Sequence, residues 1–142
     1  MIVRRILVVS DGTDVSLRGV DTAADIASRY EAELLLMTAV PIPQHVVAAA
    51  KLHGKTIEHY VERMAAEALA TSIATLRQRG VGAEVKVLMG SPAESIVAEA
   101  AAGRVDLVVM GRRARMEPKD LVLGSVSDRV ARNLAVPILL IP

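Results

Sequence analysis

The feature of this sequence that most constrains its fold is a regular alternation between short apolar runs and longer segments with helical periodicity. Val, Ile and Leu dominate the apolar runs, and four of the five are almost continuous, as is typical of strands covered on both faces of a parallel sheet. The third run alternates apolar with polar residues, so we expect it at an edge of the sheet. The predicted strands are Arg5–Val9, Glu33–Val40, Ala83–Met89, Val105–Met110 and Val136–Ile141.

Helical patterns fill the segments between the strands, with apolar residues spaced three and four apart. Between the third and fourth predicted strands, Ser91, Pro92 and Glu94 have the spacing of a capping box with proline at the first helical position. Residues 41–55 hold two prolines and a glycine and are predicted to be a long loop with at most a short helical turn. The predicted helices are Ser16–Tyr30, Lys55–Arg79, Ser91–Ala101 and Ser125–Asn133.

The resulting order, β-α-β-α-β-α-β-α-β, predicts an α/β fold with a parallel sheet, helices on both faces and right-handed crossovers. No internal linker interrupts it, so we expect a single domain over residues 1–142.

Composition excludes several classes of function. The net charge of +1 argues against a general binder of nucleic acids or membrane surfaces. With two Tyr and no Phe or Trp, the chain lacks the aromatic platforms on which single-stranded nucleic acids stack. The absence of cysteine excludes disulfides, thiolate metal sites and thiol redox chemistry, and it suits a reducing cytoplasm. No apolar stretch approaches the roughly 18 residues of a spanning helix, so we expect a cytoplasmic protein without membrane insertion.

In a doubly wound sheet, ligands bind beyond the carboxyl ends of the strands, at the point where strand order reverses. Gly111 directly follows the fourth predicted strand, where a side chain would keep a ligand from the backbone. Gly124 precedes the last helix, whose first turn offers free N–H groups, a helix dipole and the hydroxyls of Ser125 and Ser127 to an anion. An ordinary N-cap and turn would produce the same local pattern, which taken alone favours that simpler interpretation.

The common phosphate-binding motifs are absent. Gly54-Lys55-Thr56 lacks the upstream glycine of a Walker A motif, because position 49 is Ala, and there is no Gly-x-Gly-x-x-Gly. The turn after the first strand carries Asp11, which suits a ribose, an adenine amino group or a metal better than a bare phosphate.

Two further groups of residues could carry chemistry. The basic residues between Gly111 and Gly124 could neutralise a polyphosphate or dock an acidic partner, but we interpret most of them as solvated; they are Arg112, Arg113, Arg115 and Lys119. Of the three histidines, His53 and His59 are six residues apart and therefore lie on different sides of a helix, and with His45 they do not predict a metal site.

The segment Gly111-Arg-Arg-Ala114, followed by nine residues and Gly124-Ser-Val-Ser127, resembles the signature of the universal stress protein (UspA) family. That signature is Gly-x2-Gly-x9-Gly-Ser/Thr in the nucleotide-binding branch of the family. The opening "RILVVSDGTDVS" and the closing "AVPILLIP" are also similar to the family's first and last strands, so the resemblance covers essentially the whole chain. Ala114 is a departure, because it stands where the signature has its second glycine.

The resemblance implies a five-stranded parallel sheet in the order 3-2-1-4-5, a Rossmann-like fold of the adenine nucleotide alpha hydrolase type. It implies a regulatory, non-enzymatic protein that binds ATP, ADP or AMP together with Mg²⁺, with at most slow hydrolysis. It also implies a homodimer formed through the last strand, and a protein partner that the sequence does not identify. The implied nucleotide site is Asp11, Thr13, Ala39, Met110, Gly111, Ala114, Gly124, Ser125, Val126 and Ser127, with no metal held by protein ligands alone.

Two alternatives remain open on the sequence. Ala114 favours a member of the same family that binds no nucleotide and acts as a protein-interaction module. An adenylating enzyme of the same hydrolase-like group is a further alternative, against which stand the small size of the chain and the lack of a second substrate domain.

Overall fold

A computed structural model describes residues 2–54, 56–113 and 123–142 of the chain. Its five strands are β1 (Arg5–Val9), β2 (Glu33–Val40), β3 (Glu84–Met89), β4 (Leu107–Gly111) and β5 (Ile138–Ile141). They form one parallel sheet in the order β3-β2-β1-β4-β5. The predicted α/β class, the strand order and the edge position of β3 are therefore confirmed.

The helices are α1 (Asp14–Tyr30), α2 (Gln44–His53), α3 (Ile57–Gln78), α4 (Pro92–Ala102) and α5 (Ser125–Asn133). Apolar residues of α1 and α3 pack on one face of the sheet, and those of α4 and α5 pack on the other. Leu35 and Leu36 consequently belong to different core clusters, because successive strand residues point to opposite faces. Burial on both faces explains why the central strands are continuous apolar runs. Within the described ranges, no helix combines the length and apolar character that crossing a bilayer requires.

The prediction of a long loop over residues 41–55 is wrong, because most of that segment is the helix α2. Pro43 is its N-cap, so the proline stands before the helical hydrogen bonds begin and does not interrupt them. Gly54 ends the helix in the left-handed region, with φ of 65°. None of the residues of α2 is buried, and it therefore lacks the apolar stripe by which a helix is recognised in a sequence.

Three strands begin later than predicted, β3 by one residue and β4 and β5 by two. Residues 105 and 106 precede β4, because the Oδ2 atom of Asp106 accepts the N–H groups of Arg4 and Arg5 at 2.8 and 3.0 Å. β5 begins after Pro137, which has no N–H to donate to a ladder.

The capping-box prediction is only partly right. Ser91 is the N-cap of α4 and Pro92 is its first residue, but the Ser91 side chain accepts no hydrogen bond from the helix. Its hydroxyl instead donates to the carboxylate of Glu94. That hydrogen bond and the neighbouring Arg129 hold the pKa of Glu94 below its usual value of 4.5. Arg129 belongs to α5 and approaches the Glu94 carboxylate to 2.6 Å, so the pair joins the two helices on this face.

Candidate functional site

A cavity of about 330 Å³ lies at the carboxyl ends of β1 and β4. These strands are neighbours in the sheet, yet they are separated by most of the sequence, and the strand order reverses between them. This is the switch point at which open α/β sheets bind ligands. The cavity gathers seven residues that the sequence points to, namely Asp11, Ala39, Met110, Gly111, Ser125, Val126 and Ser127.

The other three predicted site residues are placed differently. Thr13 and Gly124 do not line the cavity. Thr13 is two residues from Asp11, which does, and Gly124 is next to Ser125, which also does. Ala114 lies outside the described residues, as do Arg115 and Lys119. Of the basic residues after β4, Arg113 does line the cavity.

Thr13 fixes the carboxylate of Asp11. The Oδ1 atom of Asp11 accepts the backbone N–H of Thr13 at 3.0 Å and its hydroxyl at 2.6 Å. The same Thr13 hydroxyl oxygen accepts the N–H of Ser16 and so caps α1. These bonds use only one oxygen of the carboxylate, and they set its orientation at the rim of the cavity.

Three buried serine hydroxyls tie the Asp11 turn to α3. The Oγ atom of Ser10 lies 2.7 Å from that of Ser72 and 3.1 Å from that of Ser16. Gly12, at φ of 85°, follows directly, and a Cβ there would lie 3.2 Å from the carbonyl oxygen of Ala68. The turn that carries Asp11 is therefore held close against α3 and requires glycine.

The start of α5 is fastened to the end of β4 through one carbonyl. The Arg112 carbonyl accepts the N–H of Gly124 at 2.7 Å and also the hydroxyl of Ser127. The N–H of Arg112 donates in turn to the carbonyl of Ile141 in β5, at 2.9 Å. Because its proton is engaged by the main chain, the Ser127 hydroxyl positions the helix, and an anion at this end would depend on backbone N–H groups of the first turn.

Packing against α1 explains why glycine stands at position 111, independently of any ligand. A Cβ at this position would lie 2.8 Å from Cγ1 of Val15 in α1. The sequence pattern alone suggests only that a ligand approaches this backbone, whereas the structure shows that α1 already does so.

A second, larger cleft of about 700 Å³ lies between α2 and α3. It brings His45 and His59 together with Arg63. His53 and His59 lie on two helices, so the prediction that they sit on different sides of one helix is wrong. No group of three or more His, Cys, Asp or Glu side chains suited to a metal ion occurs among the described residues.

Sequence reasoning missed several residues of the switch-point cavity. Ser10 and Pro41 directly follow predicted strands and Thr38 lies near the end of one, but none of them was predicted as a site residue. Pro92 was assigned only to the start of a helix, and Ser16 and Ile96 only to helices. Their position directly after a predicted strand could have identified Ser10 and Pro41 as site residues. For Ser16 and Ile96 no local signal exists, because only the folded sheet brings α1 and α4 to the same opening.

The fold and the site together define a doubly wound α/β protein with a crevice at its switch point, the position at which this class of protein binds ligands. The family model described as "Universal stress protein family" matches residues 3–142, and the chain belongs to that family.

Individual relatives agree with this assignment. The chain is 30% identical over 138 residues to Universal stress protein MJ0531 of Methanocaldococcus jannaschii, covering 97% of this chain and 81% of the relative. A solved universal stress protein in complex with cAMP superposes with a TM-score of 0.77 at 24% identity, covering 100% of this chain and 99% of the other. The universal stress protein of Archaeoglobus fulgidus in complex with dAMP gives 0.70 at 21% identity, with 100% of both chains covered. At these identities the two structures establish a shared fold.

Proposed function

We propose that this protein binds an adenine nucleotide in the switch-point cavity and acts as a regulatory protein, with at most slow hydrolysis. The observation that carries the proposal is that one cavity brings together an oriented carboxylate, Asp11, the small residue Ala39 and the first turn of α5. Two solved proteins of the same fold are complexes with cAMP and dAMP, which supports an adenine nucleotide as the ligand class.

The adenosine moiety suits the part of the cavity between β1 and β2. The volume of about 330 Å³ is near the lower end of the range for small-molecule sites, roughly 300–1,000 Å³. Val9, Ala39 and Ile96 supply apolar walls for a base. The Asp11 oxygen that Thr13 does not use is a natural acceptor for a ribose hydroxyl.

The phosphates would extend towards the N-terminus of α5. Backbone N–H groups of Val126 and Ser127 have no acceptor within the helix, and the helix dipole favours negative charge there. Arg113 on the cavity wall adds positive charge. Asp11 is the one carboxylate among the described lining residues, so Mg²⁺ would enter with a triphosphate and keep most of its water ligands.

The remaining parts of the proposal follow the family resemblance. Nucleotide binding would act on residues 111–123, which begin at the cavity, and through them on a protein partner. A homodimer through β5 is proposed as well, because this strand is the second edge of the sheet and its residues Ile138–Ile141 are all partly exposed. We propose the cytoplasm as the compartment.

Release of bound nucleotide tests the proposal. The purified protein is denatured, and the supernatant is separated on a nucleotide-resolving column. We expect ATP, ADP or AMP in near-stoichiometric amount. Asp11→Ala should release much less, whereas Asp14→Ala, an exposed carboxylate outside the cavity lining, should release as much as the wild type.

An interaction module that binds no nucleotide is the second candidate, and Ala114 is the observation that favours it. If the extract is empty and millimolar ATP does not bind, Ala114→Gly separates two explanations. Binding gained by this variant would show that the methyl group blocks the site, and continued failure to bind would contradict the nucleotide proposal.

A further inference from the structure

The edge strand β3 carries an exposed apolar face. Val85, Val87 and Met89 alternate along the strand and are 44%, 40% and 56% exposed. They lie on the side of the sheet that α3 covers, and a groove of about 510 Å³ runs between this strand and that helix. A hydrophobic edge strand with unpaired backbone groups is a template for pairing with another strand.

The usual protection of an edge strand is missing on this face. Lys86 is the only lysine in β3, and its Nζ atom lies 2.6 Å from Oε1 of the nearly buried Glu99 in α4. That contact is on the opposite side of the sheet. The charge is therefore bound inward and does not deter a strand from pairing along the edge.

Opposite charges stand at the two ends of the apolar face. Glu58 and Glu62 of α3 line the groove together with Val87 and Met89. At the other end, Arg77 of the same helix lines a groove together with Val85. A two-fold axis through the middle of β3 would place the acidic end of one copy against the basic end of the other, so the surface is complementary to itself.

We propose that β3 pairs antiparallel with β3 of a second copy of this chain, about a two-fold axis at Val87. In this register Val87 faces Val87, Val85 faces Met89, and Lys86 faces Leu88. A register centred on Lys86 would instead oppose two like charges. The interface is separate from β5 and does not depend on nucleotide binding.

A single cysteine tests the register, because the natural chain contains none. Directly opposed residues in an antiparallel pair have Cα atoms about 4.5–5.5 Å apart, which is within disulfide range. Val87→Cys should form a covalent dimer under mild oxidation about tenfold faster than Leu52→Cys, since pairing raises the local thiol concentration. Leu52 is 80% exposed in α2 and serves as the control. Equal rates for the two variants would overturn the proposal.

A charge exchange tests the same interface without cross-linking. Glu62→Arg and Arg77→Glu should each raise the dissociation constant of the β3 dimer about tenfold in sedimentation equilibrium. The double variant should restore it, because the exchanged charges meet across the axis. Glu67→Arg, exposed on α3 outside the groove, is the matched control, and circular dichroism confirms folding. Association beyond the proposed β5 dimer that is indifferent to both single changes, or absent in the wild type, would overturn the proposal.

Discussion

The N–H of Gly124 donates to the carbonyl of Arg112 over 2.7 Å, which closes the chain on itself across the residues that separate β4 from α5. The hydroxyl of Ser127 donates to the same carbonyl. Two donors from the start of α5 thus converge on the end of β4, and the N-terminus of the helix is fixed beside the cavity. This arrangement gives the last glycine of the family signature, Gly124, and the nearby Ser127 a structural role in addition to any contact with phosphate.

Ser127→Ala should lower the free energy of unfolding by about 1–2 kcal/mol, because it removes a buried hydroxyl that bonds the Arg112 carbonyl. It should also weaken nucleotide binding, since the helix start loses an anchor. Urea denaturation measures the first effect and calorimetric titration the second. Thr22→Ala is the control: its exposed hydroxyl bonds only to the carbonyl of Arg18 in the same helix, and about 0.5 kcal/mol or less is expected. Equal losses for the two variants would contradict this role of Ser127.

Gly111→Ala should destabilise the protein by about 1–3 kcal/mol, because the new Cβ would lie 2.8 Å from Cγ1 of Val15. Val15→Ala removes the obstructing atom. The double variant should therefore be more stable than the sum of the single effects predicts, which a double-mutant cycle measures. Additive effects would show that Val15 is not what excludes a side chain at position 111.

Ser72→Ala should loosen the Asp11 turn, because Ser10 would lose its hydrogen-bonding partner on α3. We expect faster hydrogen exchange at the amides of Gly12 and Thr13, together with a loss of about 1–2 kcal/mol in the free energy of unfolding. Thr71→Ala changes a neighbouring, exposed position of α3 and should leave both amides unaffected. If Ser72→Ala leaves their exchange unchanged, the serine network does not hold the turn.

The link between α4 and α5 should weaken in acid. The pKa of Glu94 is lowered first by the Ser91 hydroxyl and then by Arg129, so the folded protein holds this carboxylate charged below its usual value of 4.5. The stabilisation is present above that usual value and is lost as the pH falls through the lowered pKa. An NMR titration should show the pKa of Glu94 rising in Ser91→Ala and also in Arg129→Ala. No change in either variant would contradict the assigned causes.

The strand pattern, the strand order and the edge position of β3 could be predicted because they depend on local apolar runs and on a family resemblance. The ends of β1 and β2 were correct since each run stops at a turn residue or a proline. The helix α2 could not be predicted, because none of its residues is buried and the two prolines before it, Pro41 and Pro43, favour a loop. Asp106 shortened β4 through bonds to residues about a hundred positions away, which no local pattern reveals.

Part of the site could also be predicted from local sequence. Asp11, Gly111 and Ser125 each follow a strand or begin a helix, so position along the chain pointed to them. The partnership of Ser10 with Ser72 was not accessible, since these residues are 62 positions apart and only the packing of α3 on the sheet joins them. Sequence spacing also suggested that the Ser127 hydroxyl serves an anion, whereas the structure engages its proton with the main chain.

Localising nucleotide binding by NMR tests the central claim most directly. Nucleotide-free protein labelled with ¹⁵N is titrated with ATP and Mg²⁺, and amide shifts are mapped onto the fold. We predict saturable shifts at Asp11, Ala39, Gly111 and the first turn of α5, and none around His45 and His59 in the cleft between α2 and α3. No shifts at millimolar ATP, or shifts confined to that cleft, would contradict the account.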